Sequence, residues 1–151
     1  MTKIVQRRIV ACPYNLAKGY LDREFHGDAQ ALSWRLRVSA DVVKDVDVKV
    51  QRAEDPMHFD EPWTVTWVPH GGGPYPSFKG MLTVRADEDW TGSELELTGS
   101  YDPPFGAAGK AFDLLLGERL ATATAKTLLD EIGSRFEAHY RRDEAAKVNG
   151  A

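Results

Sequence analysis

An α+β domain is predicted, in which a curved antiparallel sheet wraps around one long C-terminal helix. Two patterns in the chain carry this expectation. Five successive segments alternate apolar and polar residues with the period of a strand, and the last long segment carries an apolar stripe with the period of a helix. A third observation sets the topology: short connections built from Gly, Pro and Asp make strands that are neighbours in sequence neighbours in the sheet.

Lys3 to Cys12 is rich in Ile and Val and stops at Pro13, which cannot donate to a ladder, so it reads as the first strand. From Tyr14 to Phe25 the residues Leu16, Ala17, Tyr20, Leu21 and Phe25 recur at helical spacing, and Gly27 follows as a stop signal. There is room for a further short helix or turn from Ala29 to Leu32. The period then changes to two. Trp34, Leu36 and Val38 alternate with Arg35 and Arg37, and Val46, Val48 and Val50 alternate with Asp45, Asp47 and Lys49. The same pattern returns in Trp63, Val65 and Trp67, in Phe78, Gly80, Leu82 and Val84, and in Leu95, Leu97, Gly99 and Tyr101. One dry face and one wet face per strand indicate an antiparallel meander. Ala40-Asp41, Glu54-Asp55-Pro56, Gly71-Gly72-Gly73-Pro74 and Asp87 to Gly92 supply the turns.

The final helix has Asp102 as a candidate N-cap and Pro103 and Pro104 in its first turn. Its stripe runs through Phe112, Leu115, Leu116, Ala121, Ala125, Leu128, Leu129, Ile132 and Phe136. Glu131 with Arg135 and Glu137 with Arg141 form i,i+4 pairs on the wet side. A helix of about 38 residues reaching about Arg142 would span ~57 Å, more than a small sheet covers, so Gly117, or Gly106 and Gly109, are candidate positions for a bend. Residues 1–142 are expected to form one domain and 143–151 a frayed tail.

At 151 residues one core is expected, burying roughly two thirds of the unfolded surface. The net charge of −4 gives no electrostatic reason to expect a nucleic-acid partner. Cys12 is the single cysteine, which rules out an intrachain disulfide and suits a reducing compartment. The N-terminal residues lack the apolar stretch of a signal peptide, and no run has the length of a transmembrane helix. The expectation is a cytoplasmic protein that does not span a membrane.

The order of elements, and the passage Tyr101-Asp102-Pro103-Pro104-Phe105-Gly106-Ala107-Ala108-Gly109 followed by Phe112-Asp113-Leu114-Leu115, Arg119-Leu120-Ala121 and Thr124, resemble the START-like or SRPBCC superfamily of helix-grip proteins, bacterial members in particular. The resemblance covers nearly the whole chain. It implies a sheet that grips the helix and encloses an apolar cavity for lipids, polyketides, hormones or hydrophobic cofactors. A fold does not fix a function.

The residues themselves also point to a cavity. Trp34, Trp63, Trp67, Phe78, Leu82, Leu97 and Tyr101 fall on the inward face of the sheet, opposite the small residues Ala121, Thr124 and Ala125 and then Leu128. Large side chains facing small ones can leave a void, and that void is the candidate ligand site; complete filling by the tryptophan rings is the competing expectation. The leading function is binding or carriage of a hydrophobic or amphipathic small molecule. The alternatives are a polyketide cyclase/aromatase-like enzyme acting in the same cavity and a non-catalytic accessory protein.

Signals for specific chemistry are weak. His58, Asp60, Glu61 and His70 lack the spacing of a metal signature, so neither a metal nor a cofactor is expected, and His26 and His139 read as helix-end residues. The triple glycine lacks the Lys and Ser/Thr of a phosphate loop and does not lead into a helix. It reads as a hairpin at the cavity mouth, with Tyr75 and Phe78 as a candidate lid. Arg7, Arg8, Arg35, Arg37 and Arg119 are the candidate cations for a ligand headgroup, with solvated surface charge the expectation for most of them, and Tyr20, Tyr101 and Thr124 are the candidate hydroxyls to orient a ligand. No nucleophile with an adjacent base is present to assign a reaction.

Overall fold

Strand pairing adds the N-terminal strand to the far side of the meander. The computed structural model describes residues 2–24, 32–38, 44–52, 62–73, 75–88, 92–102 and 114–149. In chain order the elements are β1 (Thr2–Val10), α1 (Tyr14–Glu24), β2 (Leu32–Val38), β3 (Lys44–Arg52), β4 (Trp63–Pro69), β5 (Ser77–Ala86), β6 (Ser93–Asp102) and α2 (Leu114–Asn149). All strands pair antiparallel in the order β1-β6-β5-β4-β3-β2. The five alternating segments are thus consecutive in the sheet, as short connections require.

The architecture is α+β, with the sheet curled around α2. Across the sheet β1 and β2 are the two edge strands, and α2 lies against both of them and against β6, while its close backbone contacts with β3, β4 and β5 are few or none. A flat sheet cannot bring both edges to one helix while its middle strands stand off. The register lines up strand positions into rows across the sheet. One row joins Trp34, Val48, Trp67, Phe78 and Tyr101, and another joins Trp63, Leu82 and Leu97. Between them lies a row of Val50, Val65, Gly80 and Gly99, closed by Ile4.

Helix α2 is anchored at β1. Ile132 and Phe136 are buried there, and the ring of Phe136 lies 6.5 Å from that of Tyr20 in α1. Arg8, on the inward side of β1, packs against Gly133, where a Cβ would fall 2.6 Å from the Arg8 guanidinium carbon. Its Nε donates to Asp130 and one terminal nitrogen to Glu137, both at 3.1 Å. Glu137 also accepts the Ala11 backbone N–H at 3.0 Å. Burial pushes the Glu137 carboxyl up, but the Ala11 N–H and Arg8 outweigh it and hold it below the usual Glu value.

Several expectations change. Helix α2 runs unbroken through Gly117 and continues past Arg142 to Asn149; beyond Arg142 the Tyr20 hydroxyl donates to Asp143 at 2.8 Å and ties that turn to α1. Glu131 and Arg135 pair at 3.1 Å as spacing predicts, whereas Glu137 turns toward β1. His139 stacks on the Tyr20 ring at 5.5 Å rather than ending a helix. The proline turn, Phe112, Gly106 and Gly109, together with His26, His58, Asp60 and Glu61, lie outside the described residues. No described helix is long and apolar enough to cross a membrane.

Candidate functional site

The centre of the concave face is built from stacked aromatic rings over a glycine floor. Trp67 and Phe78 are directly paired across β4 and β5, and their rings stack at 4.2 Å with an interplanar angle of 12°. The indole Nε1 of Trp67 donates to the Pro76 carbonyl at 3.2 Å, so this buried ring leaves no unpaired donor. Gly80 and Gly99 face each other across β5 and β6, and a Cβ on either would come 2.5 Å from the Phe78 ring edge as well as into the neighbouring backbone. Glycine is required here because the Phe78 ring occupies the space a side chain would take.

Of the expected lining residues, Trp63, Trp67, Phe78, Leu82, Leu97 and Tyr101 on the sheet and Ala121, Thr124, Ala125 and Leu128 on α2 are all buried. The backbone of Trp34 pairs with Val48 and extends the aromatic row; its side chain lies outside the description. The inward faces of sheet and helix therefore carry the anticipated contrast of large against small.

Besides the Arg8 contacts at β1, a polar link reaches α2 from the β4–β5 connection. Tyr75 hydroxyl is hydrogen-bonded to Thr124 Oγ1 by a short contact. Thr124 Oγ1 itself donates to the Leu120 carbonyl at 2.7 Å, so Tyr75 is the donor in this pair. Burial raises the Tyr75 pKa, with the Thr124 hydrogen bond opposing, which keeps the phenol protonated. The three glycines that precede it have φ of 75°, 79° and 107°, a left-handed path that L side chains rarely adopt. It folds the loop back so that Tyr75 N–H donates to the Gly73 carbonyl at 2.9 Å. Tyr75 and Phe78, read from the sequence as a lid, are buried in the interior. Sequence gave a signal in the glycine run before Tyr75, but no means of aiming the ring at Thr124.

The remaining candidates disperse. Tyr20 bonds to Asp143 away from the aromatic floor, and burial, then that hydrogen bond, pushes its pKa up to about 12. Arg7 pairs with Glu96 on the outer face at 2.8 Å, and Arg119 is exposed. Burial, with Glu137 adding to it, pushes the Cys12 thiol up to about 11, so it is not a nucleophile. His70 is exposed and its Nδ1 lies 2.9 Å from Asp47, with Nε2 3.4 Å from Arg35. Among the described residues no group of three or more His, Cys, Asp or Glu is placed to hold a metal.

Two clefts flank the end of β2. A groove of about 390 Å³ runs between β2, through Arg35, Leu36 and Arg37, and the stretch of α2 from Thr127 to Arg135. A pocket of about 250 Å³ lies beside it, lined by Arg37, Lys44, Asp45 and His70. Arg37 is common to both.

No protein-family model matches the chain, and no curated protein matches it. Solved structures do. The Zhui aromatase/cyclase of a Streptomyces species is 16% identical with a TM-score of 0.58, the match covering 96% of this chain and 97% of that one. A Thermus thermophilus protein is 14% identical with a TM-score of 0.54, over 91% and 99% of the two chains. The di-domain aromatase/cyclase StfQ of the steffimycin pathway is 16% identical with a TM-score of 0.50, over 93% of this chain and 46% of its own. At these identities the likeness shows the fold alone, an antiparallel sheet curled around a long C-terminal helix.

Proposed function

We propose that this protein binds a hydrophobic or amphipathic small molecule between the sheet and α2, in a single domain of helix and sheet working in the cytoplasm. One observation carries the reading: α2 meets both edges of the curled sheet and has few close backbone contacts with its middle strands, while Trp63, Trp67 and Phe78 of those strands are buried in one core with the small Ala121 and Ala125 of α2. Burial of apolar ligand surface against such a lining contributes about 25 cal/mol per Å². Trp34, Leu82, Leu97, Tyr101, Thr124 and Leu128 complete the proposed lining. Neither a metal nor a cofactor enters this reading. Mass spectrometry of natively extracted protein tests it: a stoichiometric apolar compound that copurifies supports it, and protein that is empty and fails to bind any apolar probe overturns it.

A specific observation favours an enzymatic second reading. Tyr75 and Thr124 place a hydrogen-bonded pair of hydroxyls inside a largely apolar interior, and two of the solved structures of this fold are aromatase/cyclases. In that role the lining would hold a flexible polyketone folded, and the protonated Tyr75 would donate to a carbonyl oxygen as charge develops on it. Tyr75→Phe would then keep ligand affinity and lose turnover of a linear polyketone. Equal turnover in both proteins would remove Tyr75 from the chemistry.

A further inference from the structure

We propose that the groove between β2 and α2 receives the anionic head of the ligand, a carboxylate or a phosphate, with Arg37 as its ion-pair partner. This rests on the ligand-binding reading above and names the chemical class of the ligand: an amphipath with an acidic end. The groove holds three arginines and two acids. Both acids are already engaged, since Asp130 accepts from Arg8 at 3.1 Å and Glu131 from Arg135 at 3.1 Å. Arg35 is held by Asp45 at 3.7 Å. Arg37 forms no ion pair with a carboxylate among the described residues, its cross-strand neighbour Asp45 being turned to Arg35, and it stands where the groove meets a second pocket lined by Lys44, Asp45 and His70. The positive charge of the groove is therefore not neutralised from within, which favours an anion there. A planar guanidinium also suits the two oxygens of a carboxylate or phosphate.

Position joins this site to the interior. Leu36 lies between the two arginines, is 5% exposed on the inward face of β2, and also lines the groove. A chain entering at the seam passes from arginines to apolar side chains within one strand residue. The acid end stays at the partly wet rim while the tail runs beneath α2, the arrangement an amphipath needs, because burying an unpaired charge is far costlier than leaving it at the surface.

Tryptophan-fluorescence titrations of the full chain with dodecanoate, dodecyl phosphate and 1-dodecanol separate the possibilities. Both acids should bind more tightly than the alcohol by about three- to fivefold at low salt, as an exposed ion pair allows, and the preference should shrink as salt rises. Arg37→Gln should remove that preference without changing the alcohol affinity, Arg37→Lys should keep part of it, and Arg119→Gln should change nothing. A stronger effect of Arg37→Gln on one acid identifies which head group the site prefers. Binding of all three probes with equal affinity, or an equal loss in Arg119→Gln, overturns the headgroup site while leaving the cavity in place. Failure of all three to bind overturns both.

Discussion

From Leu129 to Phe136 α2 buries large apolar residues and a glycine on the side that packs against β1, whereas from Ala121 to Ala125 its buried residues are small. The first stretch is fastened by Arg8 passing Gly133, by Glu137 holding the Ala11 N–H, and by Phe136 beside Tyr20. The second is joined to the connection between β4 and β5 by the hydroxyl pair of Tyr75 and Thr124. On the proposed reading one helix combines a stretch that holds the fold closed with a stretch that faces the ligand. Substitutions in the two stretches should then fail in different ways.

The largest effect is expected where the helix is fastened. Phe136 is fully buried, and Phe136→Ala should cost about 3 to 5 kcal/mol in denaturant unfolding; a loss under about 0.5 kcal/mol would place the ring at the surface. Added bulk gives a sharper contrast. Gly133→Ala drives a methyl into the Arg8 guanidinium, displacing it from Asp130 and Glu137, and should cost about 1 to 3 kcal/mol. Ala125→Leu adds more volume but faces the proposed space, and should cost under about 1 kcal/mol. Equal costs at the two sites would erase the distinction between the stretches.

Smaller effects probe the polar links. Tyr75→Phe removes the donor to Thr124 and should cost about 0.5 to 1.5 kcal/mol, measured by chemical denaturation. The Glu137 carboxyl has a lowered pKa relative to its ordinary 4.5. The unfolded chain therefore binds its proton first, and the stability this group supplies is present above about pH 4.5 and lost as pH falls through the lower, folded value. Melting of Glu137→Gln should show a weaker decline between about pH 6 and about pH 3.5 than the parent does. An identical decline would mean that other carboxylates account for the acid sensitivity.

The contrast between the stretches was partly legible in the sequence. Alternation located the inward residues of β3 to β6, because a wet face opposite a dry one leaves a period of two, and the small Ala121 to Ala125 segment stood out on the stripe. The fastening was not legible. In β1, Ile4, Val5, Ile9 and Val10 are apolar on both faces, with Val5 and Ile9 exposed, so no alternation shows that Arg8 points inward. Gly133 reads as a helix weakness until Arg8 is seen beside it. Glu137 has a helical partner at Arg141, and only the third dimension offers it Arg8 and the Ala11 N–H. Tyr75 follows a glycine run whose φ values decide where the ring goes, and composition alone leaves that path open. Arg37 was among several candidate cations; what sets it apart is that the neighbouring acids of the groove have other partners.

Whether usable space lies beneath α2 is decided by titrating an apolar fluorophore such as anilinonaphthalene sulfonate against the parent and Ala125→Trp, with the melting temperature of each recorded alongside. Saturable binding that quenches tryptophan emission in the parent, and is lost in a variant that still folds within about 1 kcal/mol of it, is the expected result. A parent that binds nothing, together with an Ala125→Trp chain destabilised by more than about 3 kcal/mol, would mean that the rings of Trp63, Trp67 and Phe78 fill the interior and that no ligand site exists there.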